Sequence, residues 1–259
     1  MKYRYRLPIP EVSRNLTCFL TALTVLASSC WAHAETITYK SPGSRVELLE
    51  LYTSEGCSSC PPADRWLSKL VKDPDLWTDF IPLAFHVDYW DYIGWKDRFA
   101  SPLYSQRQRR YAREQSLRTV YTPGFILNGR EWRRKSGKSI KSSSSKNPGY
   151  LTMQLTNDKA SLHFSPNSNS VKRLNINLAL LGFGLSTQVK AGENHGRKLA
   201  HEFVVLNWQQ ARLSRKGNTF TKTLAIPESE INAERYALVA WVDSIDNQVP
   251  LQAVGGWLP

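Results

Sequence analysis

Cys57 and Cys60 stand three residues apart in Cys57-Ser58-Ser59-Cys60, after the apolar segment 46–52 and directly before Pro61-Pro62 and a helix-like stretch. Two sulfurs at that spacing suit disulfide chemistry or a soft metal ion. At a strand-to-helix junction a thiolate faces unpaired backbone N–H groups and the positive end of the helix dipole, and both lower a cysteine pKa and raise its reactivity. Redox chemistry is the first expectation. Cys57 is expected to be an exposed nucleophile that attacks a partner's disulfide, and Cys60, about one turn on, to resolve the mixed disulfide. Pro61 suits the first helical positions because it gives up no needed N–H.

The elements that must position this pair are legible on both sides of it. Residues 46–52 read as a buried strand interrupted by Glu47 and Glu50, bounded by Ser41-Pro42-Gly43 and Thr53-Ser54-Glu55-Gly56. From 62 to 71 the apolar positions Ala63, Trp66, Leu67, Leu70 and Val71 recur at helical spacing, and Asp73-Pro74 ends the helix. A second strand is expected over 80–87. The resulting β-α-β unit has parallel strands and a right-handed crossover. The aromatic run 86–95 reads as a loop at the strand end, and 102–117 as a charged helix with Leu103, Tyr104, Tyr111 and Leu117 facing inward. Strand character returns over 119–128 around Thr122-Pro123-Gly124. Asn128-Gly129 signals a hairpin leading into Glu131-Trp132-Arg133.

The remaining cysteines, Cys18 and Cys30, lie in a different kind of sequence. Lys2, Arg4, Arg6 and Arg14 precede an apolar run from Leu16 to Ala27, and Ala32-His33-Ala34 offers small residues at cleavage spacing. Residues 1–34 therefore read as a secretory signal peptide cut after Ala34, which places the mature protein in the periplasm or outside the cell. An uncleaved anchor, or a lipoprotein attached through Cys30 of Ala27-Ser28-Ser29-Cys30, are the alternative readings. Cleavage leaves Cys57 and Cys60 alone. A loop so short constrains little of the unfolded chain, so the pair is not a structural framework.

The formal charge of +12 includes four basic residues and one acidic residue of the leader, leaving about +9 on the mature chain. Much of the excess lies in Arg107, Arg109, Arg110, Arg113 and Arg118 and in the block from Arg130 to Lys146. A nucleic-acid reading needs basic residues interleaved with aromatics on one surface, and the expected export argues against it. A solvated basic face, a peripheral association with anionic envelope surfaces, or steering of acidic partners fits the charge. Residues 136–147, rich in Ser and Lys, read as a linker or a poorly packed surface helix. From 150 onward the chain changes to short strands separated by Asn, Gly, Pro and Ser, as expected for an antiparallel, sandwich-like part or a β extension packed on the first. The expected organisation is a leader at 1–34, an α/β domain at 35–147 and a β-rich domain at 148–259.

The succession of strand, C-x-x-C, helix, strand, helix and a Thr-Pro that opens a hairpin resembles the thioredoxin superfamily. The resemblance implies a cis Pro123 beside the dithiol, with the Thr122 backbone free to pair with a partner's extended chain. More narrowly, segment 50–64 together with His86-Val87-Asp88-Tyr89-Trp90, Gly94-Trp95 and Tyr121-Thr122-Pro123 is similar to an exported bacterial thioredoxin-fold family of undefined function. That likeness spans about 45–259 and includes Gly192-Glu193-Asn194-His195-Gly196-Arg197. The dithiol at its strand-to-helix junction, with the thioredoxin resemblance, points to a thiol-disulfide oxidoreductase whose partners are protein thiols and disulfides or small thiols, with no cofactor expected. Thioredoxins usually carry a buried Asp on the strand before the dithiol. Here Leu51 stands at that position with Glu50 beside it, so Glu50 either faces Cys60 as its base or is an ordinary strand carboxylate.

His86 and Asp88 lie two apart at a strand end, on one face of an extended chain. A Cys57, Cys60 and His86 set would suit Cu(I), which makes metal binding or delivery the alternative function. A redox-tuning role, or a structural histidine beneath Trp90 and Trp95, are the other readings of His86. The 192–197 segment reads as a polar hairpin loop. A partner-binding module with an idle dithiol is the remaining alternative. No phosphate loop or hydrolase elbow is present.

Overall fold

The structure, a computed structural model, describes residues 36–115, 117, 119–133, 140, 147–168 and 173–259. The leader, with Cys18, Cys30 and the cleavage site, and nearly all of the Ser/Lys segment lie outside the described residues. No helix among the described residues is long and apolar enough to cross a membrane.

The protein is a mixed α/β structure dominated by extensive sheets. In chain order the strands are β1 (Thr36–Lys40), β2 (Glu47–Thr53), β3 (Phe80–His86), β4 (Gly124–Leu127), β5 (Arg130–Glu131), β6 (Gly149–Thr156), β7 (Lys159–Pro166) and β8 (Leu174–Phe183). They continue as β9 (Leu185–Gln188), β10 (Lys198–His201), β11 (Val204–Arg212), β12 (Ser214–Lys216), β13 (Thr219–Ala225), β14 (Arg235–Ser244) and β15 (Pro250–Trp257). Helix α1 covers Pro61–Ser68 and α2 covers Pro102–Glu114.

β2, α1 and β3 form the expected unit: β2 and β3 pair in parallel from Glu47 opposite Phe80 to Thr53 opposite His86. α1 presents Ala63 and Leu67 to the core, gives way to a 3-10 turn over Lys69–Lys72, and the chain turns extended at Asp73, ahead of Pro74. β4 runs antiparallel to β2, and Asn128 and Gly129 both take positive φ, as a tight hairpin into β5 requires. Ser101 caps α2 by accepting from the Leu103 N–H.

Strands from either side of the expected 147/148 boundary join in one sheet. This eight-stranded sheet runs β15-β14-β8-β11-β3-β2-β4-β5: its first four strands come from the expected β-rich domain and its last four from the expected α/β domain. The joint is β11, parallel to β3 at Val204 opposite Ala84 and antiparallel to β8. All ten residues of β8 are buried because this sheet is covered on both faces. One cover is a second sheet, β1-β6-β7-β13-β12, whose Leu151, Met153, Leu162 and Phe164 pack against Ile176, Leu178, Leu238 and Ala240. The β-rich part is therefore sandwich-like, but one of its two sheets continues through the dithiol region. The opposite face carries Ala179, Leu181, Val239 and Trp241 into the same core as Leu49, Leu51 and Phe85.

Helix α2 departs from its expected faces. Leu103 is exposed, whereas Arg107, expected on the basic surface, is buried with Gln108, Tyr104 and Tyr111. Its guanidinium finds a carboxylate inside, which reverses the ordinary preference of arginine for water.

Candidate active site

Cys57 and Cys60 are joined as a disulfide at the β2–α1 junction, with Cα atoms 5.5 Å apart. The backbone forms successive turns here: the Cys57 N–H donates to Ser54 O, the Cys60 N–H to Cys57 O, and Cys60 O accepts from the N–H groups of Ala63 and Asp64. The two serines between the sulfurs are exposed. Cys57 is not, at 1% of its full accessibility, so the expected exposed nucleophile is covered in this oxidised form. Thr122 O lies 3.8 Å and Ser59 Oγ 3.2 Å from its sulfur, and the 192–197 turn lies over its backbone.

Thr122 and Pro123 stand beside the pair, and their peptide bond is cis. Trp90 holds Thr122 by donating from Nε1 to Oγ1 at 2.7 Å, and Gln108 holds Tyr121 O at 2.8 Å. Gly124 is required by this approach, because a Cβ there would sit 2.8 Å from Tyr121 O.

Glu50 does not serve Cys60. Arg107 Nε and Nη2 donate to its two oxygens at 2.8 and 2.7 Å, Tyr52 donates at 2.8 Å and Tyr111 at 2.6 Å. Alternation along β2 explains this: Glu50 and Tyr52 share the face that receives α2, while Thr53 takes the other face and donates to Asp64 of α1. The carboxylate on the dithiol's side is Asp64, one helical turn after Cys60 and buried. Four residues is the spacing at which side chains share one face of a helix. Burial pushes the Asp64 carboxyl above its usual range, against the opposing pull of His201, His86 and the Thr53 hydroxyl. A cavity of about 120 Å³ bordered by Pro61, Asp64, Arg65, Lys198 and His201 adjoins it.

His86 and Asp88 part company at the end of β3. Asp88 accepts from Ser105, whereas His86 Nδ1 lies 2.7 Å from Asp97 Oδ2, both wholly buried. The His86 ring packs edge-on against Phe99 and His201, and His201 Nε2 is 3.2 Å from Glu55 Oε1. Glu55 also accepts from Trp95 Nε1, and Asp97 from the Glu55 N–H. Cys57, Cys60 and His86 are not drawn into one ligand set, and no group of three or more His, Cys, Asp or Glu among the described residues is arranged to hold a metal ion. His86 thus buttresses the segment that precedes the dithiol.

Burial alone would lower the His86 pKa, but the charge and hydrogen bond of Asp97 outweigh it and hold the ring above its ordinary value. Burial would raise Asp97, and the His86 charge and bond hold it below the usual carboxylate range. The histidine's share of stability is complete below about pH 6.5 and is lost as pH rises through its raised value. The aspartate's share is present above the ordinary carboxylate range and is lost as pH falls through its lowered value. The unfolding free energy of the wild type relative to His86→Gln is therefore expected to be largest in weakly acidic solution and to shrink at alkaline pH. Paired urea titrations at pH 6 and pH 9 check this, and an equal difference at both would show that the pair carries no charge.

Asp64, Glu55, Asp97, His201, Glu193 and Asn194 join the site through contacts that sequence patterns do not announce. Only Asp64 had a local signal, its four-residue spacing from Cys60. Asn194 is wholly buried and donates from Nδ2 to both Glu55 O and Cys57 O, at 2.8 and 2.9 Å. Glu193 accepts from the Ser58 N–H at 2.9 Å. The 192–197 hairpin loop, expected to be an ordinary polar turn, is thus part of the site.

These features define a mixed α/β protein with a covered cysteine pair at a parallel strand-to-helix junction and a cis X-Pro turn against it. The chain belongs to a family of proteins of unknown function (DUF1223), whose pattern matches residues 48–243. It is similar in fold to the crystal structure of an Agrobacterium tumefaciens protein, at 22% identity and a TM-score of 0.56, covering 82% of this chain and 94% of that one. It is also similar to HBP35 of Porphyromonas gingivalis, at 16% identity and a TM-score of 0.59, covering 84% and 76% of the two chains. No curated protein matches the chain.

Proposed function

We propose that this protein is an exported thioredoxin-like thiol-disulfide oxidoreductase. The observation that carries the reading is the Cys57–Cys60 pair at the head of α1 with Thr122 O and the cis Pro123 turn against the Cys57 sulfur. In the reducing direction the Cys57 thiolate attacks one sulfur of a partner disulfide. The new Cys57–partner bond expels the other partner sulfur as a thiolate, which takes a proton from water. Cys60 then loses its proton to Asp64 and attacks the Cys57 sulfur, releasing the partner's second thiolate and restoring the Cys57–Cys60 bond. The partner gains two electrons and the protein loses two. The oxidising direction is the reverse, and the reduction potential decides between them. Partners are protein thiols and disulfides or small thiols, met outside the cytoplasm if residues 1–34 act as the leader they resemble.

The test is a trap. Cys60→Ser protein, reduced and exposed to disulfide-containing envelope proteins, is expected to accumulate mixed disulfides through Cys57 that dithiothreitol releases, and Cys57→Ser protein to accumulate none. Equal labelling of both variants would overturn the proposal. Tight Cu(I) binding by the reduced wild type without any trapped partner would move the assignment to a metal carrier.

A further inference from the structure

Glu193 comes from the β9–β10 loop, far in sequence from the dithiol, yet its carboxylate sits on the backbone between the two cysteines. Three features make this a built contact. Asn194, wholly buried, ties the loop to the carbonyls on either side of Gly56. Arg197 fixes Asn194 by donating to its Oδ1 at 2.8 Å, and the turn is closed by Val189 N–H to Arg197 O and Gly196 N–H to Val189 O. Gly192, at positive φ, lets the loop lie against Ile93 and Trp95, where a Cβ would already be 3.3 Å from Ile93 Cδ1.

With the loop so anchored, Glu193 accepts the Ser58 N–H, one of the amides next to Cys57 that a thiolate would otherwise have to itself. We propose that Glu193 is a positioning residue that sets the redox balance of the dithiol, its negative charge opposing the Cys57 thiolate and so favouring the disulfide over the reduced, ionised pair. This rests on the exchange reading above. Its bonds to Ser58 hold the carboxyl below its usual range, so the charge is present at neutral pH.

The reaction that reports it is exchange with glutathione, in which the reduced dithiol and one oxidised glutathione give the Cys57–Cys60 disulfide and two reduced glutathiones. Glu193→Gln keeps an acceptor for the Ser58 N–H and removes the charge. It is expected to lower the Cys57 pKa, read from thiolate absorbance against pH, and to shift the glutathione equilibrium about two- to fivefold toward the reduced protein, as a charge at a helix terminus does. Because the Glu193 side chain is exposed, the shift should shrink in high salt. Glu193→Lys should move both readouts further the same way. Wild-type protein that equilibrates with glutathione while both variants match it in pKa and equilibrium would overturn the inference and leave the exchange reading standing. Wild-type protein whose disulfide does not equilibrate at all would overturn the exchange reading and this inference with it.

Discussion

Replacing Arg107 with methionine is expected to cost about 3–5 kcal/mol of unfolding free energy, because it strands a buried carboxylate. Glu50 is 1% exposed, and its ion pair with Arg107 is the charge neutralisation available to it inside the sheet. Tyr52 and Tyr111 add hydrogen bonds but no charge. Arg107 also lies over the rings of Phe85, Tyr111, Trp208 and Trp241 at 5.2–5.6 Å, so its loss removes packing as well. With total stabilities of about 5–15 kcal/mol, such a loss is a large share of what holds a domain folded. Urea unfolding of the oxidised protein measures it. The double replacement Glu50→Leu/Arg107→Met should cost less than the sum of the single ones, since a pair removed together leaves no stranded charge. A single Arg107→Met loss below about 1 kcal/mol, the range of exposed pairs, would mean that water reaches Glu50.

Asp64→Asn is expected to slow the second half of the exchange by about a hundredfold or more at neutral pH, the range of a lost general base. Attack by Cys57 on a small aromatic disulfide releases one coloured thiolate, and closure by Cys60 releases the second, so the two steps separate in time. The first should be unchanged and the second slowed. The amide still accepts from Thr53 and fills the same space, so packing is conserved while proton uptake is lost. At high pH, where Cys60 ionises unaided, the two proteins should converge. Equal second phases at pH 7 would exclude Asp64 as the base. The raised pKa that burial gives Asp64 brings it nearer the pH at which it must accept a proton.

Local chemistry was legible in the sequence, and long-range pairing was not. The β2-α1-β3 unit, the Asn128-Gly129 hairpin and the Cys57/Cys60 junction are set by residues within a few positions of one another, through apolar runs, paired prolines and turn formers. Arg107 was read as surface because charge alone carries no information about a partner 57 residues away. Glu50 had two readings that only the face taken by α2 could separate. β1 has no counterpart among the expected elements, because it is short, exposed on alternate residues and sits at a sheet edge. The role of Asn194 depends on a contact across 137 residues, which no local pattern encodes.

The pairing of β11 with β3 also bears on how the chain assembles. When residues 36–133 leave the ribosome, β3 has β2 on one side and nothing on the other, because Val204, the partner of Ala84, is still far away in sequence. Until Phe203 O accepts the Ala84 N–H, the apolar strand Phe80-Ile81-Pro82-Leu83-Ala84-Phe85 is an open template for another chain. Pairing over such a sequence distance is closed late, and it makes the β-rich half the guard of the strand next to the one that leads into the dithiol.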